Sequence, residues 1–152
     1  MTKQEFKDFC HAEFTKRGFV KRKKMYYLKG RDLLCGLYLQ KSMAEAFYVE
    51  YDFFLGEYED VKSYPTIYDA DIGRRICVWS KDTINGEHFM DALIEYERYN
   101  VEEIKPYFEE AFEKYIMPPI LEGKRILLEK QEHYFAALFP EERCKALEKL
   151  QR

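Results

Sequence analysis

Phe6, Phe9, Cys10 and Phe14 recur at spacings of three and four, the repeat of one helical face. Thr2 and Glu5 ahead of them fit a capping box, in which hydroxyl and carboxylate each satisfy an orphan backbone N–H. Gly18 follows Lys16 and Arg17, where a left-handed cap and dipole-compensating cations belong. This pattern predicts a helix over residues 3–17. From Phe19 the chain turns to β-branched and aromatic residues. Met25 to Leu28 and Leu33 to Leu39 flank the polar connection Lys29-Gly30-Arg31-Asp32, which predicts a hairpin. Phe47, Val49, Tyr51, Phe53 and Leu55 point one way along a strand while Tyr48, Glu50, Asp52 and Phe54 point the other. One sheet face is therefore core, and the other is wetter yet still aromatic. Residues 57–73 show no sustained period and predict a long loop, followed by a short strand at Arg75 to Trp79.

After Asn85-Gly86 the pattern reads as helical to the end. Phe89, Met90, Leu93 and Ile94 form one short stripe, and Asn100 with Glu103 forms another cap. Val101, Ile104, Phe108, Ala111, Phe112 and Tyr115 trace a helix face, which Pro118-Pro119 should stop. Leu128 to Leu138 suggest a further helix, and Pro140 sits as a first-turn residue of a last one. Strands early and helices late favour an α+β fold over a parallel sheet with interleaved helices. The expected architecture is an N-terminal helix, a mostly antiparallel sheet of about four or five strands, and C-terminal helices, some packed on one sheet face.

Length and composition narrow this further. The chain has 152 residues, 47% apolar and 35% charged, enough for one core and a solvated exterior, so a single domain over 1–152 is expected, with its sheet part near 1–80 and its helical part near 86–151. Aromatics reach 17%, with 13 Tyr and 12 Phe, and this is the main departure from an ordinary composition. The net charge of −3 gives no global reason to expect a nucleic-acid partner. Its distribution is uneven: residues 1–31 hold ten Lys/Arg against three Asp/Glu, whereas residues 42–73 hold one Lys against eight acids. Either two opposed patches result, or the stretches pair within one sheet and cancel. Cys10, Cys35, Cys77 and Cys144 stand far apart without a C-x-x-C pair, so reduced thiols are expected. No run approaches the roughly 18 apolar residues of a membrane span, and the expected compartment is the cytoplasm.

The order of an N-terminal helix, Gly18-Phe19, the basic run Lys21-Arg22-Lys23-Lys24, Met25-Tyr26-Tyr27, a hairpin and a strand closing on Leu39-Gln40-Lys41-Ser42 resembles a bacterial family known only as a domain of unknown function. The resemblance covers about residues 1–80, followed by a strand like Phe47 to Leu55. It implies an α+β fold and, since the family has no assigned activity, no reaction.

Candidate chemistry is sparse. His11, His88 and His133 lie on three different segments, none with a His or Cys at helical metal spacing, and no metal or cofactor is expected. Cys10 and His11, as helix neighbours, point about 100° apart and cannot act as a nucleophile-base pair. Asp69-Ala-Asp71 is a possible cation or acid-base pair, weighed against a loop turn satisfying its own backbone. Lys21 to Lys24 with Tyr26 and Tyr27 join cations to stacking surfaces, as single-stranded nucleic-acid binders do, but lysines on an edge strand also resist edge-to-edge association. The best candidate contact residues are Gln40, Ser42, Arg74, Arg75 and Trp79, polar or amphipathic side chains at strand ends. Their bland alternative is that the arginines balance Glu50 or Asp52 and that Trp79 is core.

The favoured expectation is a non-catalytic protein-binding domain, immunity- or adaptor-like, whose partner is another protein. A second is a small acid-base enzyme using Asp69, Asp71 and His88, or Glu50 and Asp52, in a sheet-helix cleft. Nucleic-acid binding through Lys21 to Tyr27 is the least favoured.

Overall fold

The computed structural model describes residues 1–152. Helix α1 runs over Lys3–Thr15; the Thr2 hydroxyl accepts from Glu5 N at 3.1 Å while the Glu5 carboxylate accepts from Thr2 N at 3.1 Å. Gly18, at φ 96°, turns the chain out of the helix in a conformation that costs other residues strain. Strands β1 (Val20–Arg22), β2 (Met25–Lys29), β3 (Leu34–Lys41), β4 (Phe47–Phe54) and β5 (Ile72–Arg75) follow as an antiparallel meander in the spatial order β1-β2-β3-β4-β5. The fold is α+β, as the grouping of strands before helices implies.

The alternation along β4 assigns its two faces. Val49, Tyr51 and Phe53 join Cys35, Leu37 and Ile72 on the face that packs against Phe6 and Phe14 of α1 and the later helices, in a core of 32 buried residues. Each such aromatic removed from water contributes roughly 1.5–3 kcal/mol. The opposite face buries Met25, Tyr27, Leu34 and Phe54 beneath Tyr58, Tyr64, Ile67 and Ala70 of the connection between β4 and β5. There Tyr27 donates its hydroxyl to Pro65 O at 2.5 Å, which ties that connection to the sheet. Toward β5 this second face turns polar, at Glu50 and Asp52.

Three expectations are corrected. The strand predicted at Arg75 to Trp79 is two strands: β5 begins earlier, and β6 (Val78–Trp79) pairs with β7 (Met90–Asp91) in a separate ribbon. The Asp71 carboxylate accepts from Leu55 N at 2.8 Å and starts β5 there, while Ile76, buried in the core, ends the ladder on Val49 O. The stripe Phe89 to Ile94 is not helical; Ile94 exchanges backbone bonds of 3.0 and 2.9 Å with Phe47, so a tertiary partner outweighs local spacing. The prolines do not stop the helix. Helix α2 (Val101–Ala111) widens into a π turn, Phe112–Ile116, and continues as α3 (Met117–Glu122), whose first turn holds Pro118 and Pro119 where no N–H is required. Short helices α4 (Arg125–Glu129) and α5 (Gln131–Tyr134) then lead to α6 (Pro140–Leu150).

The uneven charge of the chain does not cancel. Strands β1 and β2 lie on one side of the sheet and β5 on the other, and no ion pair joins residues 1–31 to residues 42–73. No helix is long and apolar enough to cross a membrane.

Candidate functional site: a carboxyl pair beside the edge strand

Glu50 and Asp52, two residues apart on β4, share the second sheet face by the period of the strand. Their cross-strand neighbours on β5 are Arg75 and Gly73, in register. Gly73 is required by contact: a Cβ there would stand 2.7 Å from Asp52 Oδ1. The absence of a side chain lets the carboxyl lie flat against the backbone of the edge strand.

Asp52 is 1% exposed and Glu50 is half-buried. Glu50 Oε2 and Asp52 Oδ2 are buried without a conventional donor. Burial, reinforced by the neighbouring carboxylate, pushes Asp52 up to about 9; burial also raises Glu50, opposed in part by the Arg75 cation. Two carboxyls side by side and withdrawn from water resist ionising together, so burial and mutual repulsion favour a proton being kept on the pair.

Around it lies an open cleft of about 590 Å³, bounded by Gln40, Tyr68, Arg74, Arg75 and, from the C-terminal segment, Leu138. Arg75 lies with its guanidinium 3.9 Å from the centre of the Tyr48 ring and donates to Gln40 Oε1 at 3.3 Å. Held by these two, it stands beside Glu50 without closing a tight ion pair. Tyr68 is 94% exposed at the lip.

Arg74 projects to the other face of the same strand, toward the buried Tyr51 hydroxyl, and its Nε has no partner. Burial raises the Tyr51 phenol, and Arg74 opposes this. The hydroxyl lies 2.9 Å from His133 Nε2, and Tyr115 stacks on the His133 ring at 3.7 Å. Burial first and the Arg74 cation second lower His133 to about 4, so this imidazole is neutral near pH 7.

Of the five candidate contact residues, the structure brings together Gln40 and Arg75, with Arg74 rounding the edge strand. Ser42 is elsewhere, closing its own turn by accepting from Ala44 N at 3.1 Å. Trp79 sits on the β6–β7 ribbon, 47% exposed and near His88, so neither the core nor this cleft holds it. The Asp69-x-Asp71 motif is divided between two backbone tasks. Asp69 accepts from Thr66 N at 3.0 Å, and Asp71 holds Leu55 N together with Lys149 Nζ at 2.5 Å. His88 faces the Ser80 and Asp82 carbonyls, so it forms no acid-base set with them. No group of three His, Cys, Asp or Glu side chains is placed to hold a metal ion. Sequence reasoning did not single out Gly73, Tyr68 or the Tyr51–His133–Tyr115 stack; for Gly73 the signal was a lone glycine within a strand, between Ile72 and Arg74.

The fold and the cleft define an α+β protein with a five-stranded antiparallel meander, helices on one face and a buried carboxyl pair on the other. The chain belongs to the family described as a domain of unknown function, DUF4304, whose model matches residues 10–122. No curated protein and no solved structure matches it. The match extends beyond the N-terminal resemblance, through the whole sheet to the end of α3, and it includes the carboxyl pair and Arg75.

Proposed function

We propose that the protein is a non-catalytic, immunity- or adaptor-like binding domain, and that the cleft beside β5 is where a partner protein docks. The observation that carries this reading is the carboxyl pair on the cleft floor, with Arg75 and Gln40 held next to it. Gln40 from β3, Glu50 from β4 and the Arg75 cation from edge strand β5 bring acceptors and a charged donor together beside an unpaired strand edge, which suits a partner's polar side chain or backbone. Exposed Tyr68 at the lip supplies apolar area of the kind enriched at interfaces. The test is site-specific photo-cross-linking in cells of the source. A cross-linker at position 68 should capture one protein partner, a cross-linker at exposed Lys114 should not, and Arg75→Ala with Gln40→Ala should abolish the capture. Equal capture from both positions would end this reading.

A specific observation also supports a second reading. The raised carboxyls resemble a general acid poised for proton transfer, so an acid-base reaction at Glu50 and Asp52 is the alternative. It weighs less because Asp52 is almost wholly covered, and a substrate has to reach Glu50 alone. Turnover of any small molecule that is lost in Glu50→Gln and retained in Arg75→Ala would favour it.

A further inference from the structure

On the opposite side of the sheet, a groove of about 730 Å³ opens between α1 and strands β1 to β3. Six lysines line it from separate elements: Lys3 and Lys7 from α1, Lys21, Lys23 and Lys24 from β1 and its turn, and Lys41 from the end of β3. All six are exposed. Of these, only Lys41 has a carboxylate within ion-pair distance, Glu45 at 3.9 Å. The acid in the groove, Asp8, is engaged by Gln4 Nε2 at 2.8 Å. In a protein of net charge −3, so many uncompensated cations at one place create a local positive field.

Edge protection explains only part of this. It accounts for Lys21 on edge strand β1, but not for Lys3 and Lys7 on a helix or Lys41 on an inner strand. Turn geometry does not select Lys23 either, since its φ of 57° is easier for Gly or Asn. Three of the ammonium groups lie over rings of the groove wall. Lys7 and Lys41 are 5.9 and 5.6 Å from the Phe47 ring centre, and Lys21 is 5.9 Å from that of Tyr26.

We propose that this groove is a second binding surface, which takes an Asp/Glu-rich segment of a partner protein. The alternative polyanion, single-stranded nucleic acid, needs aromatic faces on which bases stack. Such faces are scarce: Tyr26 and Phe47 are only 5% and 2% exposed, Tyr27 lies on the other sheet face under the β4–β5 connection, and the half-buried Tyr38 is left as a single ring, too few for successive bases to stack on. What remains is a row of point charges, which attracts carboxylates without stacking. The surface stands on its own residues and does not depend on the cleft beside β5.

The test is fluorescence anisotropy with a labelled alternating Asp-Glu peptide, with oligo-dT of equal charge as competitor. The peptide should bind at low salt and weaken steeply as salt rises. Lys21→Glu with Lys24→Glu should weaken binding about tenfold or more, while Lys130→Glu with Lys145→Glu, far from the groove, and Arg75→Ala, in the cleft, should leave it unchanged. Melting curves of all variants establish that they fold. Absence of peptide binding at low salt, or equal loss with the Lys130/Lys145 variant, overturns the proposal. Displacement of the peptide by much tighter oligo-dT binding overturns its choice of occupant. Because the Arg75 variant reports on the cleft alone, failure of one surface is distinguishable from failure of the other.

Discussion

The groove between α1 and β1–β3 and the cleft beside β5 both crowd like charges, and they tolerate the crowding by opposite means. In the groove the lysines stay in water, which screens their mutual repulsion. In the cleft, Glu50 and Asp52 are withdrawn from water, and the repulsion is relieved by retaining a proton. Water screens the one crowd, whereas burial without a close counter-ion pushes the other toward its neutral form. The lesson is that a sequence count of charged residues overstates the charge of a buried pair: residues 42–73 carry eight acids, yet burial pushes two of them, Glu50 and Asp52, toward the protonated form.

The sharpest way to break this contrast is to crowd the cleft. Gly73→Val places a side chain where Asp52 Oδ1 lies and should destabilise the fold by roughly 2–3 kcal/mol in chemical denaturation. Ala44→Val, which also adds a branched side chain but at an exposed position, serves as the control. A loss at position 73 no larger than the control would remove the carboxyl from its assigned place.

Next in size is the alkaline limb of stability. Asp52 is raised in the folded state, so folding binds an extra proton. Its contribution is therefore complete below the ordinary carboxylate range and is lost as pH climbs through about 9. The melting temperature should fall by roughly 5–10 °C between pH 7 and pH 10. Asp52→Asn, which keeps the shape and needs no shared proton, should flatten that fall. A parallel alkaline decline in the Asn variant would point to other groups.

On the acidic side His133 works in the reverse sense. Its folded value near 4 lies below that of the unfolded chain, so its contribution is present above about 6.5 and disappears as pH drops through about 4. Because the ring is only partly buried, the expected effect is about 1 kcal/mol or less, read as acid-induced unfolding that His133→Gln reduces. The smallest effect belongs to the groove. Lys21→Glu or Lys24→Glu should change stability by no more than about 0.5 kcal/mol, since neither cation has an ion-pair partner and Lys21 keeps only a distant, exposed place 5.9 Å from the Tyr26 ring centre.

Much of this was legible in the sequence. The capping box of α1, the Gly18 exit, the β2–β3 hairpin and the β4 alternation are local, and local rules fix them. The pairing of Glu50 with Asp52 on one face also follows from the strand period alone. Misreadings arose where a distant partner decides. Phe89 to Ile94 has helical spacing but is claimed by the Phe47 backbone, and the prolines are absorbed by a π turn that no propensity predicts. Strand β5 was misplaced because an edge strand with a polar face, Gly73-Arg74-Arg75, shows no alternation. For the same reason, Tyr26 and Tyr27 read as stacking surfaces in sequence but are covered in the fold, one by α1 and one by the β4–β5 connection.

The central claim, that the cleft holds a carboxyl pair with one shared proton, is tested most directly by carbon NMR of the Asp52 carboxyl across a pH titration of the intact protein. The account predicts a carboxyl resonance that stays protonated through neutrality and titrates near 9, moving in step with Glu50. A resonance already fully ionised by pH 5 would contradict it.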